Sequence, residues 1–247
     1  MIYHCAADEL GGGMTSWTTT APSAYTDLAQ APIWCSFKGV TCGENRRIRY
    51  IFLVGARLEG HLTPLGSLTE MSSFSLAYNR ISGSIPQSFL SMPRLSHLYL
   101  ENNSLTGSIT PITSLNMGLL NLYLNDNSLG GSIPESLGLL TGLKSLQLDY
   151  NFHEGTIPTT LNRLTKLESL YLNSNLLTGT IPVLNQSSLL SVKLFSNYLS
   201  MGSLKEVPVS TFSTWAHIDV HSNCLVYRNP DKPSQNVNAT NCKGKST

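Results

Sequence analysis

Charge is scarce in this chain. Asp, Glu, Lys and Arg make up 13% of its 247 residues, about half the ~25% usual for a soluble domain. The balance is almost even, 16 basic against 15 acidic side chains, so no strong field favours nucleic acid or an anionic membrane. No stretch of the sequence approaches the ~20 consecutive apolar residues that span a bilayer. The opening MIYHCAADELGGG also lacks an apolar run of signal-peptide length. Three alternatives stay open there: a leader already removed, a truncated gene, or a protein that is not exported. Catalytic signatures are missing too, with no Gly-x-Ser-x-Gly elbow, glycine-rich phosphate loop or kinase motif. His97 and Glu101 fall on one strand face, but nothing beside them suggests a nucleophile. An enzyme is not expected, and no cofactor is implied.

What the chain does have is a period. Asn79, Asn103, Asn127, Asn151 and Asn175 recur every 24 residues, and steps of 22 and 26 then reach Asn197 and Asn223. Around each runs LxxLxLxxNxLxGxIP with apolar substitutes, as in LYLENNSLTGSI from Leu98 and LESLYLNSNLLTGTIP from Leu167. Eight units are read, starting at Ile48, Met71, Leu95, Leu119, Leu143, Leu167, Leu189 and Trp215, with Ala56 in the Asn place of the first. Leu-x-Leu alternation is a strand with one buried face. A unit this short cannot bury that face alone, so neighbours must stack into one core. The Asn turns the chain inward and satisfies backbone groups within the turn, each worth ~1–3 kcal/mol when buried. Gly-x-Ile-Pro then opens the return path, Gly by its freedom and Pro by its fixed φ.

These units resemble the plant-type leucine-rich repeat family, whose marks are LTGSI and LTGTIP at 24-residue spacing, from about Trp17 to Cys242. The resemblance implies an α/β-type but mostly β solenoid, a right-handed superhelix with a parallel concave sheet. Short 3₁₀ or irregular segments would lie behind it, with a second small sheet near Leu-x-Gly. The unit from Leu189 departs from the pattern and is expected to be irregular. The chain divides into a tail and cysteine cap at 1–47, repeats at 48–222, and a second cap and tail at 223–247. Cys35 and Cys42, then Cys224 and Cys242, resemble the paired-cysteine caps of extracellular members, with Phe37 where that cap carries Trp and Trp17 as its upstream Trp. Pairs so far apart along a solenoid cannot share one zinc ion, and bridges point to an oxidising compartment. Cys5 is left over. Three sequons, at Asn102, Asn185 and Asn238, fit the same compartment.

The variable letters read as columns on the concave face. One is Phe52, Ser75, Tyr99, Tyr123, Gln147, Tyr171, Lys193 and Asp219. The next is Val54, Ala77, Glu101, Asn125, Asp149, Asn173, Phe195 and His221. Beside it stand Gly55, Tyr78, Asn102, Asp126, Tyr150, Ser174, Ser196 and Ser222. Tyrosines next to carboxylates bury area while keeping polar tips, and they favour a cationic patch on a partner. The candidate partner-binding residues are Tyr99, Glu101, Tyr123, Asn125, Asp126, Gln147, Asp149, Tyr150, Tyr171, Asn173, Lys193 and Phe195. The plainer alternative is that Tyr suits strands and polar residues keep the face wet. His217, Asp219 and His221 share one side of the last strand, a metal set in residue type but without a fourth ligand, and so read as solvated.

The expectation is therefore extracellular or cell-surface recognition of a protein, peptide or glycan, as in receptor-like ectodomains and polygalacturonase-inhibitor-like proteins. The alternatives are an assembly subunit of a larger surface complex and a truncated receptor-kinase ectodomain.

Overall fold

The computed structural model describes residue 35 and residues 37–62, 68–112, 118–184 and 186–200, together with the backbone strands Ile2–His4 and His217–Asp219. Within these the chain is a mostly β solenoid of two sheets. The concave sheet has nine strands in the order His217–Asp219, Ser191–Lys193, Ser169–Tyr171, Ser145–Gln147, Asn121–Tyr123, His97–Tyr99, Ser73–Ser75, Ile48–Phe52 and Val40–Cys42. All pair in parallel except the last, which folds back antiparallel on Ile48–Phe52 and closes that end. The Cys35–Cys42 disulfide belongs to this cap, as the resemblance implies. Phe37, in the place of the expected Trp, packs against the core.

The second sheet is larger than expected. It has seven strands, Ile2–His4 followed by one strand from each of six turns between Leu58 and Thr178. It therefore runs the length of the six turns that have strands in both sheets. The two sheets differ in register. On the concave side Leu98 pairs with Leu122 and Leu122 with Leu146, a full repeat apart. In the second sheet Ser128 pairs with Thr106 and Phe152 with Gly130, two residues short of a repeat. Equivalent residues there climb diagonally from turn to turn.

Between the sheets lies one continuous core. Leu98, Leu122, Leu146 and Leu170 form one buried column and Leu100, Leu124, Leu148 and Leu172 a second. Each such burial stabilises by roughly 1.5–3 kcal/mol. Near the N-terminal end two phenylalanines substitute for leucine, and Phe74 meets Phe89 edge-on at 4.9 Å between ring centroids. The helix Gln87–Leu90 and the 3₁₀ turns Glu135–Leu139 and Thr159–Arg163 close the back.

Two local devices set the spacing of turns. The recurrent Gly of Leu-x-Gly has positive φ throughout, from 69° at Gly131 to 115° at Gly60, a conformation that a Cβ disfavours. The recurrent Asn does more than hold its own turn. Asn127 Nδ2 donates to the Leu124 and Asn125 carbonyls of its turn and to Leu100 of the preceding one. Its Oδ1 accepts from the Leu105 amide, again one turn back. The same set recurs at Asn151, Asn175 and Asn197, so the asparagines stitch turns together.

At the back, contact between turns is tight. A Cβ on Gly138 would stand 2.4 Å from the Thr160 carbonyl oxygen and 2.7 Å from Thr160 Cβ. Gly138→Ala is expected to force the two 3₁₀ turns apart at a cost of about 2 kcal/mol, lowering Tm by about 4–8 °C. Thermal unfolding of the variant checks this; an unchanged Tm means that the turns part without loss.

Candidate functional site

Alternation along the short strands sets what the concave face displays. Leu146 and Leu148 point inward, so Ser145, Gln147 and Asp149 point out, and pairing carries this pattern to every neighbouring turn. The column Phe52, Ser75, Tyr99, Tyr123, Gln147, Tyr171, Lys193 and Asp219 is in direct register, with neighbours about 4.8 Å apart. Its aromatic members touch. The Tyr99 and Tyr123 rings lie 4.9 Å apart, and Lys193 Nζ sits 4.2 Å above the Tyr171 ring.

Another column, two residues before the first, is part of the same face, and only its His97 and His217 were singled out in the sequence. It comprises Tyr50, Ser73, His97, Asn121, Ser145, Ser169, Ser191 and His217. Asn121 Nδ2 donates to the Tyr99 hydroxyl at 2.9 Å, and the His97 ring lies 5.9 Å from Tyr99. Burial raises the Tyr99 phenol above its usual range against that hydrogen bond, with Tyr123 and Glu101 adding to the rise. Period-two spacing alone would have found this column.

The residues read as a further outward column are placed differently. Gly55, Tyr78, Asn102, Asp126, Tyr150, Ser174 and Ser196 all have positive φ, 52° to 62°. They form a left-handed turn at the rim, immediately before the ladder Asn. Asp126 and Tyr150 therefore edge the face. Asp126 Oδ2 accepts from Asn125 Nδ2 at 2.8 Å, and Tyr150 is exposed.

Glu101, Asn125, Asp149 and Asn173 stand between the strand column and this rim. Although they are on the outward side, Asp149 is only 8% exposed and Asn173 1%. Burial pushes the Asp149 carboxyl up to about 6, with Asp126 adding to the rise and both its own backbone hydrogen bond and Lys193 opposing it. Glu101 is raised for the same first reason, again with Asp126 adding and its own backbone amide opposing.

A second surface was not anticipated. Phe152, Leu176 and Tyr198 follow the ladder Asn on three successive turns and are 57%, 40% and 57% exposed. Exposed apolar groups placed together in this way mark contact surfaces more often than isolated ones do.

Of the remaining candidates, His217 and Asp219 share one side of a strand paired to Ser191–Lys193, and His221 lies outside the described residues. Among the described residues no cluster of His, Cys, Asp or Glu suits a metal ion. Cys5, Cys224, Cys242, Asn185, Asn223, Asn238, Trp17 and most of the irregular segment after Leu189 also lie outside them. No described helix is long and apolar enough to cross a membrane.

Comparison with known proteins places this geometry in context. Residues 94–115, 118–140 and 166–187 match the family model for the Leucine Rich Repeat. A 63-residue stretch is 41% identical to Protein MALE DISCOVERER 1 of Arabidopsis thaliana, covering 25% of this chain and 9% of that protein. The structure is similar to the ectodomain of the plant membrane receptor kinase GASSHO1/SCHENGEN3 from Arabidopsis thaliana, solved with CASPARIAN STRIP INTEGRITY FACTOR 2. The TM-score is 0.72 at 30% identity, over 83% of this chain and 25% of that one. It is also similar to the ectodomain of the Arabidopsis receptor kinase HAESA, solved with an N-terminally extended IDA peptide hormone. There the TM-score is 0.60 at 29% identity, over 81% of this chain and 38% of that one. The chain thus spans well under half the length of each.

Proposed function

We propose that the chain, a plant-type leucine-rich repeat protein, acts outside the cell as a recognition module that binds a peptide or a peptide-like segment of a protein across its concave face. The observation that carries this reading is the in-register row of Tyr99, Tyr123 and Tyr171, flanked by the carboxylates of Glu101 and Asp149. Rigid aromatic side chains bury area at low entropic cost, and adjacent acids select a cationic partner. The solved relatives named above, each bound to a peptide hormone or an integrity factor, support a peptide over a glycan.

Panning a phage-displayed library of random peptides against the purified protein tests this directly. Selected peptides are expected to bind Tyr123→Ala and Tyr171→Ala tenfold or more weakly, while circular dichroism stays unchanged. Equal binding to all three proteins would move the site off this face. The second reading is a subunit docked into a larger surface assembly, and the Phe152–Leu176–Tyr198 stripe favours it. That reading expects no peptide to be enriched.

A further inference from the structure

Eight buried side-chain polar atoms among the described residues have no hydrogen-bond partner, and four of them stand in one row. They are Glu101 Oε2, Asn125 Oδ1, Asp149 Oδ1 and Asn173 Oδ1, on four successive turns. All four are acceptors. Orphaned buried acceptors are destabilising, and buried polar atoms are rarely left so. A row of them aligned on one face calls for a donor from outside the chain.

The surroundings specify that donor. Asp149 follows the strand Ser145–Gln147 by two residues, and the neighbouring strands end at Tyr123 and Tyr171, followed two residues on by Asn125 and Asn173 respectively. The two tyrosines are two rungs apart, about 9–10 Å, with the polar Gln147 side chain on the rung between them as a floor for a planar group and its stem. Tyr123 is backed by Tyr99 and Tyr171 by Lys193, so both are held from their far sides. The Gln147 rung leads between them to the Asp149 carboxylate, with one amide oxygen to each side.

We propose that this row is a slot for an arginine side chain of the bound partner, its guanidinium held by Asn125, Asp149 and Asn173 and its stem passing between Tyr123 and Tyr171. The slot rests on the concave-face reading above and adds the side chain that the face selects. A guanidinium carries five donors in one plane and stacks on aromatic rings, which matches a flat row of acceptors beside tyrosines. An ammonium has three donors around a point and cannot span the row. Calcium needs six to eight oxygens at 2.3–2.6 Å, and a straight row with ~4.8 Å between rungs does not close around an ion.

Titration of ¹⁵N-labelled protein with arginine amide, followed on the side-chain amide signals of Asn125, Gln147 and Asn173, tests the slot. Saturating shifts are expected with Kd on the order of 1–10 mM, with lysine amide several-fold weaker. Asp149→Asn, which keeps the shape, should weaken binding tenfold or more with spectral dispersion unchanged. In this titration the proposal is overturned by any of three results. These are no saturation up to about 50 mM, equal affinity in the variant, or calcium chloride saturating the same signals in preference to arginine amide. The two readings fail separately. Selected peptides that depend on Tyr123 yet carry no arginine overturn the slot and keep the face. Saturable arginine amide with no selectable peptide keeps the slot and removes the face.

Discussion

Asn151→Ala is expected to cost about 2–4 kcal/mol, a large share of the ~5–15 kcal/mol that holds most domains folded. The side chain is buried and serves four backbone groups on two turns. Its Oδ1 accepts from the Leu129 amide at 2.9 Å. Its Nδ2 donates to the carbonyls of Leu124 at 2.9 Å, and of Leu148 and Asp149 at 3.2 Å. Alanine strands the Leu129 amide where water has little access and removes three further bonds. The carbonyls of Leu124, Leu148 and Asp149 each keep a second donor, in Asn127 Nδ2, Asn175 Nδ2 and the Asp126 amide. The effect should spread, because a repeat array is held by neighbour contacts and a broken junction uncouples its two sides. Urea unfolding followed by circular dichroism should show an earlier midpoint and a broader transition. Asn162→Ala, at an exposed position, serves as the control and should change little. A loss below ~1 kcal/mol at Asn151 would mean that water replaces the amide, and that the ladder is a feature of sequence more than of stability.

The second large effect has the opposite sign. His153 occupies the inward place that Ile81, Leu105, Leu129 and Leu177 fill on other turns, and it is 0% exposed. Its Nδ1 lies 3.3 Å from the Gly131 carbonyl oxygen, while Nε2 has no partner. Burial pushes the imidazole below its usual 6.5, against hydrogen bonds to the Gly131 and Gly130 carbonyls. His153→Leu removes an orphaned polar atom and restores the apolar column. It should stabilise the protein by about 1–3 kcal/mol at pH 7.

Its pH signature separates that gain from simple repacking. Below pH 6.5 the unfolded chain takes up a proton that folded His153 refuses, so wild-type stability falls as pH drops. Asp149 works the other way. With its carboxyl raised from 3.8 to about 6 in the folded state, the folded chain holds more protons between those values, and stability rises as pH falls through that window. The two effects overlap and partly cancel in the wild type. In His153→Leu only the Asp149 contribution remains at these two sites, so the variant should be more stable at pH 5 than at pH 7, by ~1–2 kcal/mol. Asp149→Asn leaves only the histidine and should lose stability steadily on acidification. Chemical unfolding at both pH values checks each sign, and parallel profiles for wild type and His153→Leu would show that the buried imidazole does not titrate with folding.

Much of this was legible from letter spacing, because the relevant forces act within one turn. Alternating Leu-x-Leu selects a strand with one buried face. The Asn at every 24th residue marks the bend, and the variable letters between the leucines fall on the concave side. Tyr99, Tyr123, Gln147 and Tyr171 were therefore placed in one column, and the structure keeps them there. The Cys35–Cys42 bridge followed from the resemblance.

Other properties depend on residues a whole repeat or more away, and no local pattern contains them. Asp126 and Tyr150 read as outward strand residues, yet the turn that brings the ladder Asn inward requires a left-handed residue before it, so they sit at the rim. The ladder itself was read as serving its own turn, whereas half its reach is to the turn before. Asp149 and Asn173 carry polar letters on an outward face, and only the packed rungs beside them make that face a buried row of unpartnered oxygens. The sequence by itself determined the period, the strand faces and the ladder, because alternation and turn chemistry are local. The tertiary structure alone decided which outward groups are shut away from water, because burial depends on side chains that meet only once the turns are stacked.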